Sequence, residues 1–191
     1  MTRKLMIFGL VLGLASTTSF SRTAQSGGKK DKDNGNSRIQ RGLKIAPVPL
    51  KFPKGKRGLV ALGSYIVNAQ AACADCHSCP TYAKGGNPFV GEPTKLNAEN
   101  YLAGGVPFGP FVSHNITPDS NGKPFGLDFE EFKELMRTGH EADEPGEILQ
   151  VMPWPIYANM TTHDLRAVYE FLKAIPPAQP GTCTGPGQAA P

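Results

Sequence analysis

Apolar positions along the chain group into one continuous run and three periodic stretches, separated by long turn-rich segments. Leu5 to Ala15 is an apolar run behind Thr2-Arg3-Lys4 and ahead of the small polar residues Ser16 to Ser19. It is too short to span a bilayer as a helix, which takes about 20 residues, and its three-part layout predicts a secretory signal peptide over residues 1–21. Leu59, Leu62, Gly63, Ile66 and Ala69 recur at helical spacing and predict a helix over residues 57–70. Asp128 with Glu131 reads as a capping box, Phe129, Phe132, Leu135 and Met136 share one face, and Gly139 closes a helix over 129–138. A terminal helix starts at Thr161 or Thr162, carries Leu165, Val168, Tyr169, Leu172 and Ile175 as its stripe, and ends at Pro176-Pro177. Residues 80–127 are punctuated by Gly85-Gly86, Gly104-Gly105, Gly109-Pro110 and Asn121-Gly122, and predict turns.

The segment between leader and first helix, residues 22–56, is rich in Lys, Gly and Asn and nearly lacks large apolar residues before Leu43. Such a stretch buries too little surface to offset its ordering entropy, so a flexible linker is expected, stiffened near Pro47, Pro49 and Pro53. Composition agrees with a loop-rich domain. Among 191 residues, 22 Gly and 18 Pro are too many for a bundle of long helices, so an all-α domain of few helices over 57–177 is expected, with a Pro/Gly-rich tail over 178–191. The net charge of +4 conceals a division: residues 1–57 carry 13 Lys and Arg against 2 Asp and Glu, residues 58–191 carry 7 against 14. On an exported chain the Lys-rich arm is expected to be a solvated tail, with no nucleic-acid partner; peripheral membrane association through the arm is the alternative.

The chemistry concentrates in Cys73-Ala74-Asp75-Cys76-His77-Ser78-Cys79-Pro80. Cys-x-x-Cys-His is the attachment pattern of a c-type haem: two thiols add to the two vinyl groups of one porphyrin edge, and the adjacent imidazole is aimed at the iron. Cys73, Cys76, Cys79 and Cys183 could instead hold an iron–sulfur cluster, which leaves His77 without a role. A zinc site from the same cluster lacks the usual separated ligand pairs, and a thioredoxin-like dithiol lacks a βαβ pattern. With Cys73 and Cys76 spent as thioethers, Cys79 and Cys183 remain as a pair for a disulfide in an oxidising compartment.

A second axial ligand is expected in the loop before the terminal helix. Met152, stiffened by Pro153 and Pro155, is favoured over Met160; Met136 is assigned to the core, and His114, His140 and His163 to the surface. A thioether opposite an imidazole favours ferrous iron and suits an electron carrier with no open coordination position. Pro88 is a candidate to present its carbonyl to the second ring nitrogen of His77. Asn115, Thr117, Arg137 and Trp154 are candidate donors to haem propionates, Arg137 serving alternatively as a helix C-terminal charge.

Taken in order, Arg57-Gly58 through Cys76-His77, His114-Asn115-Ile116-Thr117-Pro118-Asp119, Phe129 through Gly139, and Val151-Met152-Pro153-Trp154-Pro155 through Ile175-Pro176 resemble the bacterial monohaem cytochrome c domains of periplasmic alcohol, gluconate and related dehydrogenases. That resemblance covers residues 57–177. It implies a class I cytochrome c fold with one covalent haem c on Cys73 and Cys76, His77 and Met152 as iron ligands, and periplasmic electron transfer. The implied partners are redox proteins such as a periplasmic dehydrogenase or terminal oxidase. The alternatives are a cytochrome subunit of a dehydrogenase or respiratory complex, and a haem enzyme or gas sensor with a displaceable distal ligand. The departure is that those subunits generally carry several such domains, whereas a single Cys-x-x-Cys-His stands in this sequence.

Overall fold

The computed structural model describes residues 35–141 and 146–183; the expected signal segment, residues 22–34 of the expected linker and residues 184–191 lie outside it. The described part is all-α apart from a minimal hairpin: α1 (Gly35–Ile45), α2 (Arg57–Tyr65), α3 (Cys73–His77), β1 (Pro107–Phe108), β2 (Phe111–Val112), α4 (Phe129–Thr138), α5 (Trp154–Tyr157) and α6 (Thr162–Ala174). No helix among the described residues is long and apolar enough to cross a membrane.

The frame is the crossing of α2 and α6. Val60 and Ala61 on α2 and Leu165, Ala167 and Phe171 on α6 are fully buried, each large apolar side chain contributing roughly 1.5–3 kcal/mol by leaving water. A glycine sits where the helices meet because a Cβ at Gly63 would stand 1.9 Å from the Ala167 carbonyl oxygen. Helix α4 is anchored to α6 through Tyr169, whose ring meets Phe129 and Phe132 at 5.6 Å each and whose hydroxyl donates to the Leu127 carbonyl at 3.0 Å. The α4 ends follow the sequence: Asp128 accepts from the Glu130 and Glu131 amides, Glu131 reaches back to the Asp128 amide, and Gly139 closes the helix at φ +75°. Thr161 caps α6 by accepting from the Asp164 amide.

Two regions differ from expectation. Residues 57–70 do not run as one regular helix: α2 passes into a π turn over Ile66–Gln70, closed by the Ala71 amide on the Ile66 carbonyl at 2.8 Å. The larger difference is in the expected flexible linker, because residues 35–56 are ordered against the domain. Helix α1 lies so close to α2 that a Cβ on Gly42 would meet the Ala61 carbonyl oxygen at 1.9 Å, and Ser64 Oγ donates to the Gly42 carbonyl at 2.7 Å. Val48 is buried, the Lys51 amide bonds the Ala174 carbonyl at 2.8 Å, and Lys56 Nζ meets the buried Glu170 at 2.7 Å. A few apolar side chains suffice here because backbone contacts and one ion pair supply the remaining hold.

The long segment after α3 is fastened rather than loose. Tyr101 and Leu102 are fully buried, Tyr101 Oη donates to Asn68 Oδ1 at 2.6 Å, and Cys79 is bridged to Cys183 with sulfurs 2.04 Å apart.

Candidate functional site

Behind the π turn, Ala72 adopts φ +51°, a left-handed conformation uncommon for a residue with a Cβ, and this bend starts the single turn of α3. Cys73 and Cys76 are free thiols, three residues apart on one helical face, and both line a cavity of about 610 Å³. That volume lies within the roughly 300–1,000 Å³ typical of cofactor and small-molecule sites. Burial pushes the Cys73 thiol up to about 12, with the neighbouring Cys76 adding to it; burial and then Asp75 raise Cys76. Both sulfurs are therefore held as neutral thiols.

His77 completes this wall. Its Nδ1 lies 2.8 Å from the His114 carbonyl oxygen, and since a carbonyl only accepts, Nδ1 carries the proton and Nε2 keeps the free lone pair. Burial lowers the tendency of the ring to protonate, which preserves a ligand-competent neutral imidazole. The backbone of His77 is held too, its carbonyl accepting from the Gly104 amide at 2.7 Å. Gly104 has φ +73°, and a Cβ there would lie 2.4 Å from the His114 carbonyl carbon, so glycine alone lets the two loops meet.

The other walls come from Phe132, Leu135 and Met136 of α4, Val168 and Leu172 of α6, and the segment 149–160, which contributes both Met152 and Met160. That segment is tied down by side chains for which the sequence suggests other partners. Arg137 donates to the Ala158 carbonyl at the end of α5, and Trp154 Nε1 donates to the Leu149 carbonyl at 3.2 Å. The Trp154 ring also occupies the space a Cβ on Gly139 would take, 2.5 Å from it. Neither Arg137 nor Trp154 is among the described lining residues; both clamp the segment carrying the methionines. Tyr157 Oη closes it from the far end by donating to the Ala71 carbonyl at 2.9 Å.

Three further expected residues also stand elsewhere. Pro88 opens a 3-10 turn whose geometry is set by Asn87 capping the Phe89 amide, and its carbonyl accepts from the Gly91 amide at 3.1 Å; the carbonyl at His77 belongs to His114. Asn115 and Thr117 do not line the cavity either: Asn115 Nδ2 donates to the Ala178 carbonyl at 2.8 Å and Thr117 Oγ1 accepts from the Ala178 amide at 3.2 Å. His114, expected at the surface, divides its roles. Its ring is about half exposed, near Glu141 at 3.5 Å and against Phe125 at 4.8 Å, while its backbone carbonyl holds His77.

Asp75 and Glu141 are the carboxylates among the described lining residues, which include no Lys or Arg. The Cys79–Cys183 bridge withdraws two of the four thiolates an iron–sulfur cluster would need. Among the described residues, no group of three or more His, Cys, Asp or Glu gathers as a metal cage.

Helices thus frame an apolar cavity with two thiols and an imidazole on one wall and thioethers on another. No family model matches the chain. It is 32% identical over 113 residues to the gluconate 2-dehydrogenase cytochrome c subunit of Pantoea cypripedii, covering 59% of this chain and 22% of that protein. Over 134 residues it is 32% identical to the alcohol dehydrogenase (quinone), cytochrome c subunit, of Gluconacetobacter polyoxogenes, covering 67% of this chain and 25% of that one. The corresponding subunit of Gluconobacter oxydans is 31% identical over 113 residues, 59% of this chain and 20% of its own length. The chain is thus similar to cytochrome c subunits of dehydrogenases and spans about a quarter or less of the length of these relatives.

Proposed function

We propose that residues 57–177 form a single-haem cytochrome c domain of the class I type that carries electrons as a redox subunit of a dehydrogenase complex. The observation that carries this reading is the convergence of Cys73, Cys76 and the Nδ1-anchored His77 on one apolar cavity that also receives Met152 and Met160. The donor set fits haem c: two thiols for covalent attachment, a neutral imidazole with its second nitrogen committed, and a soft thioether. When bound, that group would supply one-electron chemistry between ferric and ferrous iron.

The protein's part is to bind, orient and keep water out. Cys73 and Cys76 would fix the ring edge, His77 Nε2 would be the proximal ligand, and Met152 the distal one. Pro153 follows Met152 directly, and the clamped α5 follows Pro153, so a weak sulfur ligand is delivered from a restrained segment. Phe132, Leu135, Val168 and Leu172 supply the apolar lining, which favours the less charged ferrous state. Coupling to a dehydrogenase is favoured over a free carrier because the cytochrome c relatives are named as dehydrogenase subunits. Export to the periplasm belongs to the same proposal, resting on the leader and on the disulfide.

The test is haem staining after denaturing electrophoresis, with the visible spectrum of the oxidised protein. We expect a stained band that Cys73→Ala/Cys76→Ala abolishes, and a sulfur-to-iron charge-transfer band that Met152→Ala removes and Met160→Ala spares. An unstained, folded chain would refute the reading; a band lost only with Met160→Ala would reassign the distal ligand.

A further inference from the structure

The segment that follows α6 makes contacts that a surface tail has no need of. The backbone of Ala178 is bonded on both sides by side chains of one short segment. Asn115 Nδ2 donates to its carbonyl at 2.8 Å, and its amide donates to Thr117 Oγ1 at 3.2 Å. Thr117 Oγ1 in turn donates to Asn115 Oδ1 at 2.7 Å, which also accepts the Thr117 amide at 2.9 Å, so the bonds close into a ring. Thr117 is buried, only 4% exposed, which raises the cost of leaving any of these groups unpaired. The next residues continue the hold: the Gln179 carbonyl accepts from Asn100 Nδ2 at 2.8 Å and the Gly181 amide donates to the Cys79 carbonyl at 2.9 Å. The Cys79–Cys183 bridge then closes the path covalently.

What this strap holds is the neighbour of Asn115. The His114 carbonyl accepts from His77 Nδ1 at 2.8 Å, and its segment is also pinned by the Ile116 amide on the Leu102 carbonyl at 3.0 Å and the Gly105 amide on the Ser113 carbonyl at 2.9 Å. A ligating imidazole is oriented by the acceptor on its other nitrogen. We infer that the segment 178–183 is a strap that sets the orientation of the His77 ring, with Asn115 and Thr117 as positioning residues that pass its hold to the His114 carbonyl. The inference rests on the proposed role of His77 as an axial ligand. In the sequence Cys79 and Cys183 pair as the two cysteines left over, which does not say what the bridge is for.

The experiment follows solvent exchange of the His77 Nδ1 proton by NMR and of residues 113–118 by hydrogen-exchange mass spectrometry in the full chain. Haem content and midpoint potential are recorded alongside. Thr117→Val keeps the shape and removes the hydroxyl; Thr117→Ser restores it; Cys79→Ala/Cys183→Ala opens the strap. Exchange of the Nδ1 proton should rise about tenfold in Thr117→Val and in the opened variant, as expected for loss of one net hydrogen bond. The midpoint potential should shift in both, and Thr117→Ser should stay near the parent. Unchanged exchange in Thr117→Val, or equal exchange in Thr117→Ser and Thr117→Val, would overturn the strap, as would faster exchange at 113–118 with no change at the His77 proton. If the opened variant fails to fold, Thr117→Val with the bridge intact decides alone. A chain without covalent haem would refute the proposed function instead, and the exchange of the His77 proton would still decide whether the strap holds the ring.

Discussion

The wall that carries Cys73, Cys76 and His77 is fixed from several directions at once, by the α2–α6 crossing, the Gly104 contact, the His114 carbonyl and a disulfide. The segment 146–160 opposite has a different construction. It is held by the Leu149 amide on the Gly139 carbonyl and by side-chain bonds of Arg137, His140, Trp154 and Tyr157, and it leaves Ile148, Val151 and Ile156 exposed. The comparison teaches where each kind of precision resides. On the proposed reading, covalent attachment and a nitrogen ligand call for a backbone that does not move, whereas a weak sulfur ligand on a short clamped segment can be adjusted or displaced with the fold intact. Local opening should therefore begin at 146–160 and end at α2–α6.

The strongest way to break this comparison is to damage the rigid side. Gly63→Ala places a Cβ against the Ala167 carbonyl oxygen, 1.9 Å away, and should cost about 3 kcal/mol, in the upper range for overpacking. Gly58→Ala, earlier on the same helix, meets nothing nearer than Ile39 Cδ1 at 3.8 Å, and should be neutral or stabilising by up to about 1 kcal/mol through helix propensity. Denaturant unfolding of the two variants checks the contrast; equal losses would mean that α2 and α6 do not meet as described.

A smaller effect should follow from loosening the other side. Tyr157→Phe removes the hydroxyl that donates to the Ala71 carbonyl, at a cost of about 1 kcal/mol. Amide exchange should accelerate over 149–160 while α2 and α6 keep their protection. Acceleration shared by α2 would show that the two walls open as one unit.

The smallest expected effect lies outside both walls, at the turn holding Asp119. The Lys123 amide bonded to its carboxylate holds it below the usual range against desolvation, with the Asn121 amide assisting. A depressed folded value contributes stability that is present above the ordinary value of about 3.9 and is lost as pH falls through the folded value. Asp119→Asn should therefore be slightly less stable than the parent near neutrality and indistinguishable from it in strong acid. A difference that persists in acid would assign the effect to hydrogen-bond geometry rather than charge.

How much of this is legible in the sequence depends on whether a side chain or a backbone group makes the contact. The helical turn that groups Cys73, Cys76 and His77, the Asp128–Glu131 cap and the Thr161 start of α6 follow from side-chain identity and stand in the structure. The acceptor at His77 escapes sequence reasoning because a backbone carbonyl leaves no mark in the sequence; a proline nearby in the chain, Pro88, attracts the assignment instead. Arg137 and Trp154 are recognisable as donors, but sequence cannot tell a donor aimed at a cofactor carboxylate from one aimed at a carbonyl. Helix α1 escapes notice because its hold on α2 rests on Gly42 and Ser64, small residues that read as linker.

The most direct measurement for the central claim is the intact mass of the purified chain under denaturing, non-reducing conditions, followed by peptide mapping. A mass gain of one haem is predicted, carried by the peptide that contains Cys73 and Cys76, with the peptides of Cys79 and Cys183 linked to each other. A folded chain of unmodified mass, or one in which Cys73 or Cys76 pairs with Cys79 or Cys183, would contradict it.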